Sequence, residues 1–169
     1  MTATAQAAGR PKPGHRAQAL EQRSVSGRTY LLGVATLYRR PVFNDHDAAR
    51  AVCRVHGSAW PWRDSRLLAW VLMPDRWQGL VTLGERDSLA SLMGRFKALT
   101  SRAVDERHRV NGWLWGRGFS DRALAPGEDA AVAARDLVAQ PVRAGLVARP
   151  GDYAYWNAAW LEAGEAGPG

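Results

Sequence analysis

The sequence predicts an α+β fold in which helices flank an antiparallel sheet. Two observations support this prediction. Segments typical of strands and helices alternate in the order β-α-β-β-α-β-α, which is characteristic of a sheet with helices on one of its sides. Apolar residues make up 46% of the 169 residues, an ordinary share for one globular domain with a packed core.

The first half of the domain contains three predicted strands and one helix. Residues 29–38 are rich in β-branched and aromatic residues, and this segment ends before Pro41. Asn44 or Asp45 can cap a helix that runs to about Gly57. Residues 67–73 and 77–83 predict two antiparallel strands joined at Pro74-Asp75.

The second half contains two helices around an extended segment. Ser88 opens a long helix to about Arg109, because apolar residues recur there at helical spacing. Residues 113–124 form an aromatic extended stretch. A third helix begins at 127–129 and must stop before Pro141, whose ring does not fit a helix interior.

The two ends of the chain differ in composition from this middle part. Residues 1–27 combine Gly, Pro, Gln and Ser with scattered Arg, which predicts a disordered basic arm. The arm would either help to hold DNA or only increase solubility. The domain is expected to span residues 28–161, followed by a flexible Gly-rich tail at 162–169.

Charge and cysteine content limit the class of protein. The net charge is +7 with a sequence pI near 10.5, and 21 of the 23 cations are Arg, which suits a polyanionic partner. A GC-rich genome would also enrich Arg, Ala and Gly. No apolar run is long enough to span a membrane, so we expect a cytoplasmic, nucleoid-associated protein without a membrane partner. The single Cys53 excludes an internal disulfide and predicts a buried, inert thiol.

Five ordered pieces of the chain resemble the REP-associated tyrosine transposases. They are Ala69-Trp-Val-Leu-Met-Pro-Asp75 with Gly79-Leu-Val81; residues 88–97; Leu114-Trp-Gly-Arg-Gly-Phe119 with Asp121-Arg-Ala123; residues 140–147; and residues 151–161. The resemblance implies the ferredoxin-like sheet of the HUH transposases and nucleases. In that group two histidines on one strand bind a divalent Mg or Mn ion, and a helix tyrosine attacks a DNA phosphodiester.

The catalytic positions of that family carry other residues here. The two histidine positions fall on Arg76 and Gln78, the tyrosine position on Asp136, and an amide position on Gln140. Arg cannot bind a metal ion because its guanidinium has no free lone pair. These substitutions therefore predict that the chain binds no metal cofactor and has no intact catalytic residue. A further family histidine position falls on Ser120.

Three readings of these substitutions stay open. Arg76 could replace the ion, pairing with Asp136 when empty and with a DNA phosphate when bound. Asp136, Gln140 and Gln78 could form an oxygen-only metal site. The substitutions could also reflect drift or deliberate removal of catalytic residues. Tyr153 and Tyr155 are expected to pack on the domain, and the scattered His15, His46, His56 and His108 to lie at the surface.

The cations and aromatic residues of the second half suggest a DNA-binding surface. Arrayed Arg can be a solvated helix face, but aromatic residues beside cations are typical of single-strand binding. The predicted contacts are Arg76, Arg95, Lys97, Arg102, Arg109, Trp115, Arg117, Arg122 and Arg143. Trp113 and Phe119 adjoin them, and some of these aromatic residues must be core.

Three functions compete on this basis. The first is a monomer or homodimer that binds single-stranded or REP-type hairpin DNA without cleaving it. The second is a DNA transposase or endonuclease with a rebuilt site, so that enzyme activity stays open. The third is a non-DNA interaction module on the same scaffold, since fold does not fix function.

Overall fold

A computed structural model describes residues 23–108 and 113–162. Its centre is a five-stranded antiparallel sheet in the order β4-β1-β3-β2-β5. The strands are β1 (Thr29–Ala35), β2 (Arg66–Met73), β3 (Arg76–Thr82), β4 (Ser120–Ala123) and β5 (Trp156–Ala158). The predicted α+β class is confirmed.

The α-helices that lie within residues 28–108 and 113–162 are α1 (His46–His56), α2 (Leu89–His108), α3 (Ala130–Val138), α4 (Gln140–Arg143) and α5 (Ala159–Glu162). Short 3-10 helices lie at Leu37–Arg39, Val42–Asn44 and Pro150–Asp152. The carboxylate of Asp45 accepts hydrogen bonds from the first turn of α1, and that of Asp129 does the same for α3, so both helices begin where N-cap chemistry places them.

The helices cover both faces of the sheet, and the prediction of helices on one side is wrong. α1 and α2 pack on the face that buries Leu32, Leu72 and Trp77. α3 packs on the opposite face, against Val71 and Leu80. Adjacent residues of a strand point to opposite faces, so each central strand contributes to two cores.

Two strands differ from the sequence prediction. β5 pairs with β2 and was not predicted, because its three residues carry too little pattern to indicate a strand. Only Ser120–Ala123 of the expected 113–124 stretch is a strand, although Trp115 makes an isolated bridge to Thr36. α3 ends at Val138, so it stops before Pro141 as predicted, and Pro141 lies at the second position of the separate short helix α4.

The domain begins earlier than residue 28. The hydroxyl of Tyr30 donates to the Arg23 carbonyl at 2.6 Å, and the Gly27 amide donates to the Leu83 carbonyl at 2.8 Å. Residues 23–27 are thus hydrogen-bonded to the sheet rather than part of an arm. The rest of the proposed arm and most of the proposed tail, residues 1–22 and 163–169, lie outside the described residues. None of the helices within residues 23–108 and 113–162 has the length and apolarity to cross a membrane.

One histidine belongs to the core, contrary to the prediction that all four lie at the surface. His56 is 8% exposed and stacks on Trp70 with the ring centroids 4.1 Å apart. Its Nε2 accepts a hydrogen bond from Trp77 Nε1 at 2.7 Å, and burial lowers its pKa to about 3. His46 is exposed as predicted, whereas His15 and the side chain of His108 lie outside the described residues.

Candidate functional site

The residues that the resemblance assigns to the family's histidine and amide positions gather on the sheet face covered by α3. Along β3 the side chains of Arg76, Gln78 and Leu80 share this face, because Trp77 and Val81 point into the other core. Pairing of the strands places Ser120, Gly33 and Gln78 side by side in one row across β4, β1 and β3. Two of the predicted site residues and the Ser120 position are therefore neighbours.

Gln140 joins this row from the helix side. Arg76 Nη2 donates a hydrogen bond to Gln140 Oε1 at 3.2 Å, and Gln140 Nε2 donates to Gln78 Oε1. The three side chains therefore form a hydrogen-bonded chain from β3 to α4 and back to β3. We call this set, Arg76, Gln140 and Gln78, the amide bridge.

Arg76 is also held by its neighbour. Its Nη1 donates to Asp75 Oδ1 at 3.0 Å, and Asp75 forms a second ion pair with Arg39 at 2.9 Å. The Arg76 side chain keeps 28% of its surface exposed. It is thus a partly exposed cation that two partners already hold in one orientation.

The expected pair between Arg76 and Asp136 does not form. Arg76 bonds Asp75 and Gln140 instead, and Asp136 is exposed on α3. The Asp136 carbonyl accepts a hydrogen bond from Arg143 Nη2, but no described residue hydrogen-bonds or ion-pairs with its carboxylate. Gln140 lies one turn beyond Asp136 and reaches the sheet, whereas Asp136 faces solvent.

The donor set does not fit the metal ion that the resemblance implies. A guanidinium occupies one of the two imidazole positions and has no lone pair for a metal. The amide oxygens of Gln78 and Gln140 each accept a hydrogen bond within the amide bridge, so both are engaged. Within residues 23–108 and 113–162 no group of three His, Cys, Asp or Glu could hold an ion.

Gly33 shapes this site and has no signal in the sequence. A Cβ on Gly33 would lie 2.7 Å from Ser120 Oγ and 3.3 Å from Gln78 Cγ, so the missing side chain makes room for both. Ser120 Oγ donates to the Gly33 carbonyl at 3.3 Å. The sequence could not reveal this role, because a single Gly in a strand does not indicate which side chains of the neighbouring strands lie against it.

The tyrosines that remain nearby are not placed for nucleophilic attack. Tyr153 is half-buried, and its hydroxyl donates to the Leu72 carbonyl at 2.7 Å. Burial raises its pKa to about 12 and makes its phenolate scarce. Tyr155 contacts His46, and burial raises its pKa as well. Both pack on the domain, as predicted.

Two of the predicted DNA contacts have structural roles. Both Arg95 Nη atoms bond the carboxylate of Asp87, which is fully buried, at 2.9 and 2.6 Å, and Arg95 also donates to the Pro61 carbonyl. Trp115 is 4% exposed, and its Nε1 donates to Thr100 Oγ1 at 2.8 Å. These contacts orient both side chains inward, so neither belongs to the surface proposed below.

The other predicted contacts are distributed over several surfaces. Lys97 Nζ donates to the carbonyls of Gly116 and Gly118 at 2.7 and 3.2 Å, and burial lowers its pKa. Arg122 forms a bidentate ion pair with Glu128. Arg102, Arg117 and Arg143 are exposed, and Arg109 lies outside the described residues. Cys53 is half-buried, and burial raises its pKa to about 11, which agrees with an inert thiol.

Comparison with known proteins identifies the class of this chain. Residues 24–123 match the family model of the IS200-like transposases, and this range contains the first four strands and both long helices. The chain therefore belongs to the IS200-like transposase family. No curated protein matches its sequence.

Two solved structures are among those to which this chain is similar. One is a REP-associated tyrosine transposase bound to a REP hairpin, with a TM-score of 0.60, 22% identity, and coverage of 79% of this chain and 78% of that one. At this identity the likeness shows the fold alone. The other is a candidate transposase of Deinococcus radiodurans, with a TM-score of 0.43, 20% identity, and coverage of 69% and 92%.

Proposed function

We propose that this protein is a REP-associated tyrosine transposase-like binder of single-stranded or hairpin DNA that does not cleave the strand. The amide bridge carries the proposal. A cation and two engaged amides stand at the positions where the family's chemistry needs metal ligands, and a solvent-facing carboxylate stands at the position of its nucleophile.

The chemistry of these groups favours binding over cleavage. A guanidinium can neutralise a phosphate and donate two hydrogen bonds to it, which is a ground-state contact. It cannot coordinate the phosphate oxygens as a metal ion does, so it lacks the Lewis-acid role of the ion in cleavage. Attack by Asp136 on a phosphodiester would give a mixed anhydride of carboxylate and phosphate, which is more reactive than a phosphotyrosine and a poor store for a DNA end.

The solvent-exposed part of the Arg76 side chain is the proposed phosphate contact. Asp75 and Gln140 hold the guanidinium in place, so little side-chain entropy is lost when a phosphate binds. The overall charge of +7 supports association with a polyanion. The solved transposase that shares this fold is bound to a REP hairpin, which makes a REP-type hairpin the first DNA to test.

A binding titration tests this proposal. Fluorescence anisotropy with a labelled REP-type hairpin, repeated from low to moderate salt, should give an affinity that falls steeply with salt because counterions are released. Arg76→Ala should weaken binding about tenfold and reduce the salt slope by about one. Arg54→Ala removes an exposed cation from α1 on the opposite sheet face and should leave the affinity nearly unchanged.

The outcomes separate the competing functions. No binding by the wild-type protein would contradict the proposal and favour a module with a non-DNA partner. Equal affinity of Arg76→Ala and wild type would remove Arg76 from the DNA contacts.

A further inference from the structure

A cleft lies at the edge of the sheet, where the C-terminal end of α1 meets β2 and β5. It has a volume of about 490 Å³, which is within the usual range of a small-molecule site. β5 pairs with β2 over residues 69–71, and the residues of β2 that precede this pairing, Arg66, Leu67 and Leu68, line the cleft. The cleft therefore opens where the pairing between β5 and β2 ends.

The walls of this cleft are largely apolar and aromatic. Leu67, Leu68 and Trp70 line it and are half-buried, so part of their apolar surface still faces water. Trp62 lines it from the loop that follows α1. Cys53 lines it from α1, and burial raises the pKa of its thiol to about 11, so it adds no negative charge. Walls of this kind favour a flat aromatic ligand, because planar rings pack against aromatic side chains.

His56, which also lines the cleft, carries a buried hydrogen-bond donor that is not used. Trp77 Nε1 can only donate, so Nε2 of His56 is the accepting nitrogen of the ring. Because burial keeps this ring neutral, its one proton lies on Nδ1. His56 is 8% exposed, and its Nδ1 is buried without a hydrogen-bond partner among residues 23–108 and 113–162. A buried donor is stabilised by an acceptor, and a ligand in the adjoining cleft can supply one.

The charge at the cleft favours an anion. Arg66 lines it as an exposed cation at the start of β2, and the described residues that line the cleft include no Asp or Glu. Ser65 also lines it, but its hydroxyl is engaged, since it donates to Asp87 Oδ2 at 3.3 Å and accepts from the Gly84 amide at 2.9 Å. A ligand therefore finds one cation and one buried neutral donor as its main polar partners.

We propose that this cleft binds a small, flat aromatic carboxylate that also carries a hydrogen-bond acceptor in its ring system. The ring system packs on the apolar walls, its acceptor takes the hydrogen bond of His56 Nδ1, and its carboxylate pairs with Arg66. The cleft shares no residue with the amide bridge. The proposal therefore goes beyond the DNA-binding function and does not depend on it.

Three compounds and three variants test the cleft by isothermal titration calorimetry. Quinoline-3-carboxylate has the ring acceptor and the charge, 2-naphthoate has the same shape and charge without the acceptor, and quinoline-3-carboxamide keeps the acceptor without the charge. Arg66→Ala removes the cation, and Ala159→Phe places a ring in the cleft from the exposed start of α5. Arg54→Ala is the matched control, since Arg54 is an exposed cation of α1 that does not line the cleft.

The proposal expects a specific pattern of affinities. Wild type binds quinoline-3-carboxylate about tenfold more tightly than 2-naphthoate, because only the former supplies an acceptor to His56. It binds the carboxylate about fivefold more tightly than the carboxamide, because the ion pair with Arg66 is exposed to solvent. Arg66→Ala abolishes this second difference, Ala159→Phe weakens binding of all three compounds, and Arg54→Ala behaves as wild type.

The remaining outcomes overturn the proposal. Absence of binding at millimolar quinoline-3-carboxylate contradicts a site for this class of ligand, and equal affinity for 2-naphthoate contradicts the role of His56. Equal losses in Arg66→Ala and Arg54→Ala show attraction to the overall charge rather than a site. Displacement of the bound compound by a REP-type hairpin assigns the cleft to DNA and excludes a separate small-molecule site.

Discussion

The buried His56 makes the stability of this domain depend on pH, and the perturbation that isolates it is His56→Gln. Burial lowers the pKa of His56 from 6.5 to about 3, because the aromatic core gives a charged ring no solvent. Between these two values the unfolded chain binds one proton more than the native one. The contribution of the neutral His56 ring to the free energy of unfolding is therefore complete above pH 6.5 and is lost as the pH falls towards 3.

The magnitude follows from the width of that window. Each pH unit inside it is equivalent to about 1.4 kcal/mol. Acidification from pH 7 to pH 4 therefore reduces the free energy of unfolding by roughly 3 kcal/mol through His56 alone. The amide side chain that His56→Gln introduces could still accept the hydrogen bond of Trp77 Nε1 while carrying no titratable group.

The assay is urea unfolding of both proteins at pH 7 and pH 4. The carboxylates of the chain titrate equally in both proteins. The loss of unfolding free energy from pH 7 to pH 4 in wild type, minus the same loss in His56→Gln, therefore gives the effect of His56. We expect wild type to lose roughly 3 kcal/mol more than His56→Gln over this interval. An equal loss in the two proteins would refute the conclusion that His56 is buried as the neutral ring.

Two further predictions concern residues whose importance is visible only in the structure. Arg95→Ala leaves the fully buried carboxylate of Asp87 without its cation and should reduce the free energy of unfolding by about 3 kcal/mol. The control Arg122→Ala opens an exposed ion pair and should reduce it by less than about 1 kcal/mol. Similar losses for the two variants in urea unfolding would contradict the structural role of Arg95. Gly33→Ala brings a Cβ within 2.7 Å of Ser120 Oγ and should destabilise by about 1–3 kcal/mol, and Ser120→Gly in the same chain should restore part of the loss. Failure of the second substitution to restore stability would show that the clash lies elsewhere.

Local sequence patterns predicted most elements of this fold, because helix caps and turns depend on residues that are close together in the sequence. The carboxylates at Asp45 and Asp129 mark helix starts wherever the helices pack, and Pro74-Asp75 separates two apolar runs into a hairpin. Periodicity also placed the apolar stripe of α2. The sides on which the helices lie were mispredicted, because periodicity shows which face of an element is apolar and not which layer covers it.

The site was predictable only as far as the resemblance extends. It indicated that Arg76, Gln78 and Gln140 would be neighbours, which the strand and helix positions confirm. The partner of Arg76 was not predictable, because Asp75 and Asp136 offer the same charge and only the packing decides between them. The burial of His56 and the exposure of Trp113 were not predictable either, since both depend on contacts between residues far apart in the sequence.

A test for a covalent protein–DNA adduct bears most directly on the central claim, that the amide bridge belongs to a protein that binds without cleaving. A REP-type hairpin with single-stranded flanks, labelled at both ends, is incubated with the protein and Mg²⁺ or Mn²⁺, then divided between a native gel and a denaturing gel. We predict a shifted complex on the native gel and intact DNA without adduct on the denaturing gel. A cleaved strand or covalent adduct that forms with wild type and disappears with Asp136→Asn would contradict the claim and establish a rebuilt nuclease site.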